Sequence, residues 1–356
     1  MKKKPLRKNE PAVTTKDIAD RTGLSKMTVS RVLNDHPYVS DATRKKVMQA
    51  VREMGFRPNT LAKRFFTGKT KLIGVIIPLE YMFSSFYFKE LFQGVLECVE
   101  ERGYDLLLHN SASRKKPPME KSLDLVKGKL AEGLLLAAPM TYDTYPLDLS
   151  RADVPIVVMG ETACGDKVNR VVVPNRKGSA EAVQKLIALG HRRIAALTFD
   201  TNHVESLERL AGYKDALAVA RIPFDKELVA VAHYNRREAF HAVHRMVLEQ
   251  PDVTAFFACN ADMALGAAEA LRSLGLKMPD AVSLVAFDDC AEMEENEPPI
   301  STVRQVPYKI GYEAAGLLLD VLADESLAAK PQTRVIETQF MDRNSLAAPG
   351  RRRGPA

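Results

Sequence analysis

The chain has 356 residues, 46% of them hydrophobic and 27% charged, ordinary fractions for a globular protein and enough length for two or three domains. No apolar run approaches the ~18 residues of a membrane span, and none follows the basic start Met1-Lys2-Lys3-Lys4, which therefore does not read as a secretory signal. Charge is uneven: residues 1–69 carry a net +11 and the rest a net −5, which suggests a nucleic-acid-binding head on a mildly acidic body.

The head predicts three short helices. Thr14 offers an N-cap hydroxyl with the Asp17 carboxylate three residues on, the capping-box spacing. Gly23 ends that helix, supplying a left-handed turn residue without a Cβ. Ser25 caps a second helix running to Asn34. Ser40 caps a third from Asp41 to Met54, closed by Gly55 and Pro58. Ala19 is small where two helices cross, and Val29 is apolar where the second must lock on the first. That arrangement fits a helix-turn-helix; with a net +11 it points to DNA rather than to a generic three-helix bundle.

The run Val13 to Asn34, with Ser25-Lys26-Met27-Thr28-Val29-Ser30-Arg31 at its centre, resembles the headpiece of the LacI (lactose-repressor) family of bacterial transcription regulators. Val39-Ser40-Asp41-Ala42-Thr43-Arg44 and Gly55-Phe56-Arg57-Pro58-Asn59 extend the resemblance. It implies a second helix that enters the major groove, with Lys26, Met27 and Arg31 on base edges. Thr15, Ser25, Thr28, Ser30 and Asn34 would lie on the DNA backbone. The residue chemistry agrees: residues just after a helix cap face the bases in this docking geometry. Arg or Lys suits guanine and Met suits a thymine methyl. The bland reading of Lys26 is a phosphate-contacting or solvated lysine.

Asn59-Thr60-Leu61-Ala62-Lys63-Arg64-Phe65-Phe66 follows. The resemblance implies a hinge that becomes helical on operator DNA, with Asn59, Ala62, Lys63 and Phe65 at the minor groove. Phe65 stands where the family has a leucine wedge. Phe can serve as such a wedge, and Phe66 is the alternative.

From Leu72 the pattern alternates strands and amphipathic helices. Expected strands are 72–77, 104–109, 133–138 and 155–159, then a second series from about residue 170: 171–173, 194–199, 228–232, 254–258 and 282–287. Such alternation predicts parallel sheets covered on both faces, with ligands beyond the strands' carboxyl ends. No GxGxxG after a strand, GxSxG or HExxH appears, so the body reads as a binding domain and not an enzyme, and no cofactor is implied. Cys98, Cys164, Cys259 and Cys290 lack CxxC spacing, and His241 and His244 lack a third partner. Neither set suggests a metal, and the cysteines suit a reducing cytoplasm.

The family resemblance continues to about residue 345, through Glu208-Arg209-Leu210-Ala211-Gly212-Tyr213, Met263-Ala264-Leu265-Gly266 and Phe287-Asp288-Asp289. The implied fold is a small all-α helix-turn-helix headpiece plus an α/β, periplasmic-binding-protein-like body of two doubly wound parallel-sheet lobes. The expected divisions are a headpiece at 13–58, a hinge at 59–71, an effector-binding and dimerisation body at 72–345, and a flexible tail at 346–356. The first lobe would hold 72–165 with 304–330, the second 166–303 with 331–345, and crossings fall near 160–172, 302–306 and 328–334. Carried over residue by residue, the effector site comprises Tyr87, Phe88, Glu161, Arg209, Tyr234, Asp262 and Asp288. The family's ligand aspartate is Ala261 here, and its Asp-Asn pair is Pro174-Asn175.

The resemblance therefore implies a cytoplasmic, nucleoid-associated homodimeric repressor. It would bind a pseudo-palindromic operator under control of a small effector, a sugar or sugar derivative, with a purine second. Inducer and corepressor both remain open. A cytosolic α/β enzyme with a DNA-targeting head is the alternative class, and a transport-type binding protein a third.

Overall fold

Thr14 builds the capping box that its spacing predicts: its hydroxyl accepts from the Asp17 amide at 3.3 Å, and its own amide donates to the Asp17 carboxylate at 2.7 Å. Helix α1 (Thr15–Thr22) ends at Gly23, φ 64°. Helix α2 (Lys26–Leu33) starts where the Ser25 hydroxyl accepts from the Thr28 amide at 3.1 Å. Helix α3 (Asp41–Glu53) starts at Ser40, which accepts from the Thr43 amide. Ile18, Ala19, Val29, Val32, Val47 and Ala50 form one buried core between the three. So small a core is marginal, and caps worth about 1 kcal/mol each are a substantial share of its stability.

The computed structural model describes residues 13–33, 36–56, 70–79, 85–111, 117–137, 140–199, 202–328 and 330–350. It divides into two units, one up to Thr70 and one from Lys71. Asn34 and the hinge positions Asn59, Ala62, Lys63, Phe65 and Phe66 lie outside the described residues.

Among the described residues, the body contains two six-stranded sheets. Its strands are β1 (Leu72–Ile77), β2 (Asp105–Asn110), β3 (Gly133–Ala137), β4 (Ile156–Met159), β5 (Arg170–Val172) and β6 (Ile194–Thr198). They continue with β7 (Val229–Val231), β8 (Ala255–Ala258), β9 (Ser283–Phe287), β10 (Ser301–Arg304), β11 (Thr333–Val335) and β12 (Gln339–Met341). The first sheet runs β11-β5-β4-β3-β1-β2 and the second β12-β10-β9-β8-β6-β7. All pairs are parallel except β10 with β12. Both faces of the first sheet are buried: Ile73, Val75 and Ile77 join one core, while Ile76, Leu134 and Leu136 join another. Period-2 geometry with two covered faces is why these strands read as continuous apolar runs.

Helices Phe86–Glu101 and Pro307–Ala323 cover one face and cross almost backbone to backbone. A Cβ on Gly94 would stand 1.9 Å from the Tyr308 carbonyl oxygen, and one on Gly311 would stand 2.0 Å from that of Leu91. Glycine at both positions is what permits the crossing. The second lobe packs Tyr213, Phe256, Phe257 and Phe287 around its own sheet.

Three expectations about the body need correction. Strand β5, expected to open the second lobe, pairs with β4 in the first sheet, and β11 joins it there. The crossings therefore fall at 173–174, 305–306 and 336–338. A three-residue strand such as Arg170-Val171-Val172 carries no pattern that says which sheet it joins. Second, β12 runs antiparallel to its neighbour, so the second sheet is mixed. Third, residues 346–350, expected to be part of a flexible tail, are docked. The Ala347 amide donates to the Ser283 hydroxyl at 3.0 Å, and its carbonyl accepts from the His191 ring at 2.8 Å.

Candidate functional site

In α2, burial of Val29 and Val32 turns the opposite side of the helix outward. Lys26, Ser30 and Arg31 are exposed, and so is Met27, a large apolar side chain 64% exposed. Thr28 is half-buried beside the Ser25 cap, and Thr15 is exposed at the start of α1. An exposed methionine flanked by cations at a capped helix start can meet base edges and phosphates together.

In the body, residues following the carboxyl ends of both sheets line a cavity of about 610 Å3. Pro78 follows β1, Ser111 follows β2, Gly160 follows β4, Asn260 follows β8 and Asp288 follows β9. Tyr87 and Phe88, on the first turn of Phe86–Glu101, meet edge to face with centroids 5.3 Å apart. Tyr234 stacks on Phe199 and meets the His203 ring edge-on. His233, Tyr234 and Asp288 all line the cavity with left-handed backbones, φ 41°, 56° and 71°. Such conformations cost on the order of 1 kcal/mol each and concentrate where geometry serves a ligand.

Arg209 and Asp288 form a buried knot. The Arg209 Nε donates to Asn175 Oδ1 at 2.8 Å, and its Nη1 donates to the Cys259 carbonyl at 2.6 Å. Nη1 also reaches Asp288 Oδ2 at 3.4 Å, and the guanidinium lies 3.9 Å from the Phe287 ring centroid. Gln305 donates to the other Asp288 oxygen, tying the knot to the second crossing between lobes.

The structure brings six of the seven sequence-assigned effector residues to this cavity: Tyr87, Phe88, Arg209, Tyr234, Asp262 and Asp288. It does not bring Glu161. That carboxylate is held by Arg170 at 2.5 Å and lines a shallower groove beside Pro174 and Arg176. The reason is strand pairing, which sets Arg170 of β5 opposite Val158 of β4. Ala261 is buried in the core, while Asp262 reaches the wall, its carboxyl raised by burial.

Sequence reasoning missed Glu205, Asn175, Asn260, Gln305, Tyr142, Asp143 and Tyr145, all in the lining. Glu205 had a signal: it precedes Arg209 by four residues, one helical turn on the same face. Gln305 had none, because it arrives from a crossing. The lining holds four carboxyls, Asp143, Glu205, Asp262 and Asp288, against two arginines, Arg209 and Arg236, with His203 and His233 beside them. Arg236 is already paired with Glu269. Aromatic walls with surplus acceptors suit an uncharged, hydroxylated ring and disfavour an anion. Among the described residues no group of three or more His, Cys, Asp or Glu has metal-binding geometry.

Burial pushes the Glu205 carboxyl up to about 7. A carboxyl raised in the folded state contributes stability below its unfolded value that is lost as pH rises through the folded value. Glu205→Gln removes that loss. Its Tm relative to wild type is therefore expected to rise between pH 5 and pH 8, by about 2–4 °C for each kcal/mol involved. Parallel Tm curves for the two proteins across that range would contradict the assignment.

The model described as bacterial regulatory proteins, lacI family, matches residues 14–59, and one described as a periplasmic binding protein-like domain matches residues 183–346. The HTH-type transcriptional regulator CelR of Thermobifida fusca is 32% identical over 336 residues, 93% of this chain and 98% of that protein. The HTH-type transcriptional regulator AscG of Escherichia coli strain K12 is 32% identical over 341 residues, 95% of this chain and 99% of that protein. A solved structure of a CelR–cellobiose complex matches with a TM-score of 0.71 at 32% identity, over 94% of this chain and 99% of that one.

Proposed function

On the premise that the chain belongs to the lacI family of bacterial regulatory proteins, we propose that it represses transcription as a homodimer on a pseudo-palindromic operator. An uncharged sugar or sugar derivative in the interlobe cavity would set its operator affinity. The chain is a DNA-binding transcription regulator with a small-molecule effector, and it is not an enzyme. Such a regulator works in the cytoplasm, and nucleoid association belongs to the proposal. Among the described residues no helix is long and apolar enough to cross a membrane.

In this reading Lys26, Met27 and Arg31 meet base edges, and Thr15, Ser25, Thr28, Ser30 and Asn34 hold the DNA backbone. Residues 59–71 form the hinge, with Asn59, Ala62, Lys63 and Phe65 at the minor groove. The body from residue 72 binds effector and dimerises. Effector control is linkage: a ligand shifts operator affinity only by its differential affinity for the two lobe arrangements.

The observation that carries the effector reading is the cavity itself, aromatic on its walls and richer in acceptors than in free cations. The experiment is a thermal-shift panel of neutral mono- and disaccharides, sugar acids, polyols and purines. A neutral sugar at ~100 times its Kd should add about 2.7 kcal/mol of stability, while sugar acids should add none. Stabilisation confined to sugar acids or purines would overturn the reading. Cellobiose belongs in the panel, because CelR was solved with it.

A further inference from the structure

Beside the cavity, residues 202–205 of the second lobe meet two first-lobe loops. In the loop after β3, the Thr141 amide donates to the Asn202 carbonyl at 2.8 Å, and Met140 bridges His203. In the loop after β4, the Glu161 amide donates to Glu205 Oε1 at 2.9 Å. Glu205 stands on the first turn of helix Val204–Val219, in the second lobe. Its seat is shaped for it: Gly160 has φ 114°, and a Cβ there would lie 2.5 Å from Glu205 Oε1. The backbone favours glycine there, and a Cβ would push the carboxyl from its seat. Glu205 is half-buried and lines the cavity.

We propose that Glu205 is an interlobe clasp: its carboxyl, seated over Gly160 on the Glu161 amide, holds the second lobe to the first at the cavity wall. An effector hydroxyl that donates to the same carboxyl is joined to the first lobe through one side chain. The clasp thus converts occupancy into lobe position. This second step rests on the effector reading above; the clasp itself does not.

The test is hydrogen–deuterium exchange of the ligand-free 356-residue chain, read on peptides covering 160–163 and 140–142, with 73–77 as an internal reference. Four proteins are compared: wild type, Glu205→Gln, Glu205→Ala and Gly160→Ala. Gln keeps an oxygen acceptor for the Glu161 amide, and its exchange should match wild type. Glu205→Ala should speed exchange in 160–163 about tenfold, the loss of one protecting hydrogen bond, and should raise exchange in 140–142 as the shared segment loosens. Gly160→Ala should do the same by displacing the carboxyl. The reference peptide in β1 should not change.

Unchanged exchange in Glu205→Ala would overturn the clasp. So would equal acceleration in Glu205→Gln, or acceleration that reaches β1, since that reports general loosening of the fold. Should Gly160→Ala fail to fold, the contrast between Glu205→Gln and Glu205→Ala decides alone. Every arm is ligand-free, so a chain that bound no sugar would still give these results. Failure of the clasp and failure of the effector reading are therefore separate outcomes.

Discussion

Arg209→Ala is expected to cost the body about 3–5 kcal/mol, the usual penalty for breaking one side of a buried ion pair. Both side chains are nearly inaccessible, 5% and 7% exposed, so the carboxylate left behind loses its ionic partner in a poorly hydrated site. The substitution also deprives two acceptors, Asn175 Oδ1 and the Cys259 carbonyl, of their Arg209 donor. Asp288→Ala should cost less, because Arg209 keeps those two partners. It still releases Gln305 at the crossing between lobes, so it should alter the effector response as well as stability. Urea unfolding of both single variants and the double variant checks this. A coupling energy of 0.5–3 kcal/mol is expected for groups in contact; strictly additive losses would show that the pair does not act as a unit.

Operator binding is expected to weaken about 10³- to 10⁵-fold between 50 and 200 mM salt if the dimer makes 6–10 phosphate contacts. The cause is the net +11 on residues 1–69, duplicated in a dimer. Against that nonspecific background, Arg31→Ala should cost about 1–3 kcal/mol on the cognate duplex if the guanidinium reads a base. On a scrambled duplex it should cost much less. Equal loss on both duplexes would reassign Arg31 to a phosphate. Arg31 is exposed on α2, so the loss can be read as lost contact rather than lost fold.

Much of this architecture was legible because its signals are local. Thr14, Gly23 and Ser40 announce helix ends through chemistry that acts within four residues. The body strands were visible because both sheet faces are buried, which writes apolar runs into the sequence. The lobe membership of β5 and β11 was not legible. Each has three residues, and only long-range pairing decides where they go; β12 falls in the expected lobe, and only its antiparallel direction had no signal. The same pairing explains Glu161. It resembled a site residue at the end of β4, but the β4–β5 pairing delivers Arg170 to its carboxylate.

The cavity shows the converse. Arg209 and Asp288 could be placed from motifs, yet their contact with each other and with Gln305 depends on three segments far apart in the chain. The left-handed backbone of Asp288 leaves no trace in residue identity, since an aspartate there reads the same in any conformation. Glu205 was overlooked although it shares a helical face with Arg209, because the motif that drew attention to Arg209 begins at Glu208.

Control of operator affinity by occupancy of the interlobe cavity is tested most directly by fluorescence anisotropy of the 356-residue chain on a duplex selected from a randomised pool, titrated with the neutral sugar that gives the largest thermal shift. The selected duplex should be pseudo-palindromic, and saturating sugar should change its Kd by about 5- to 150-fold, the usual span of allosteric coupling. A sugar that binds the chain yet leaves operator affinity unchanged would contradict the account.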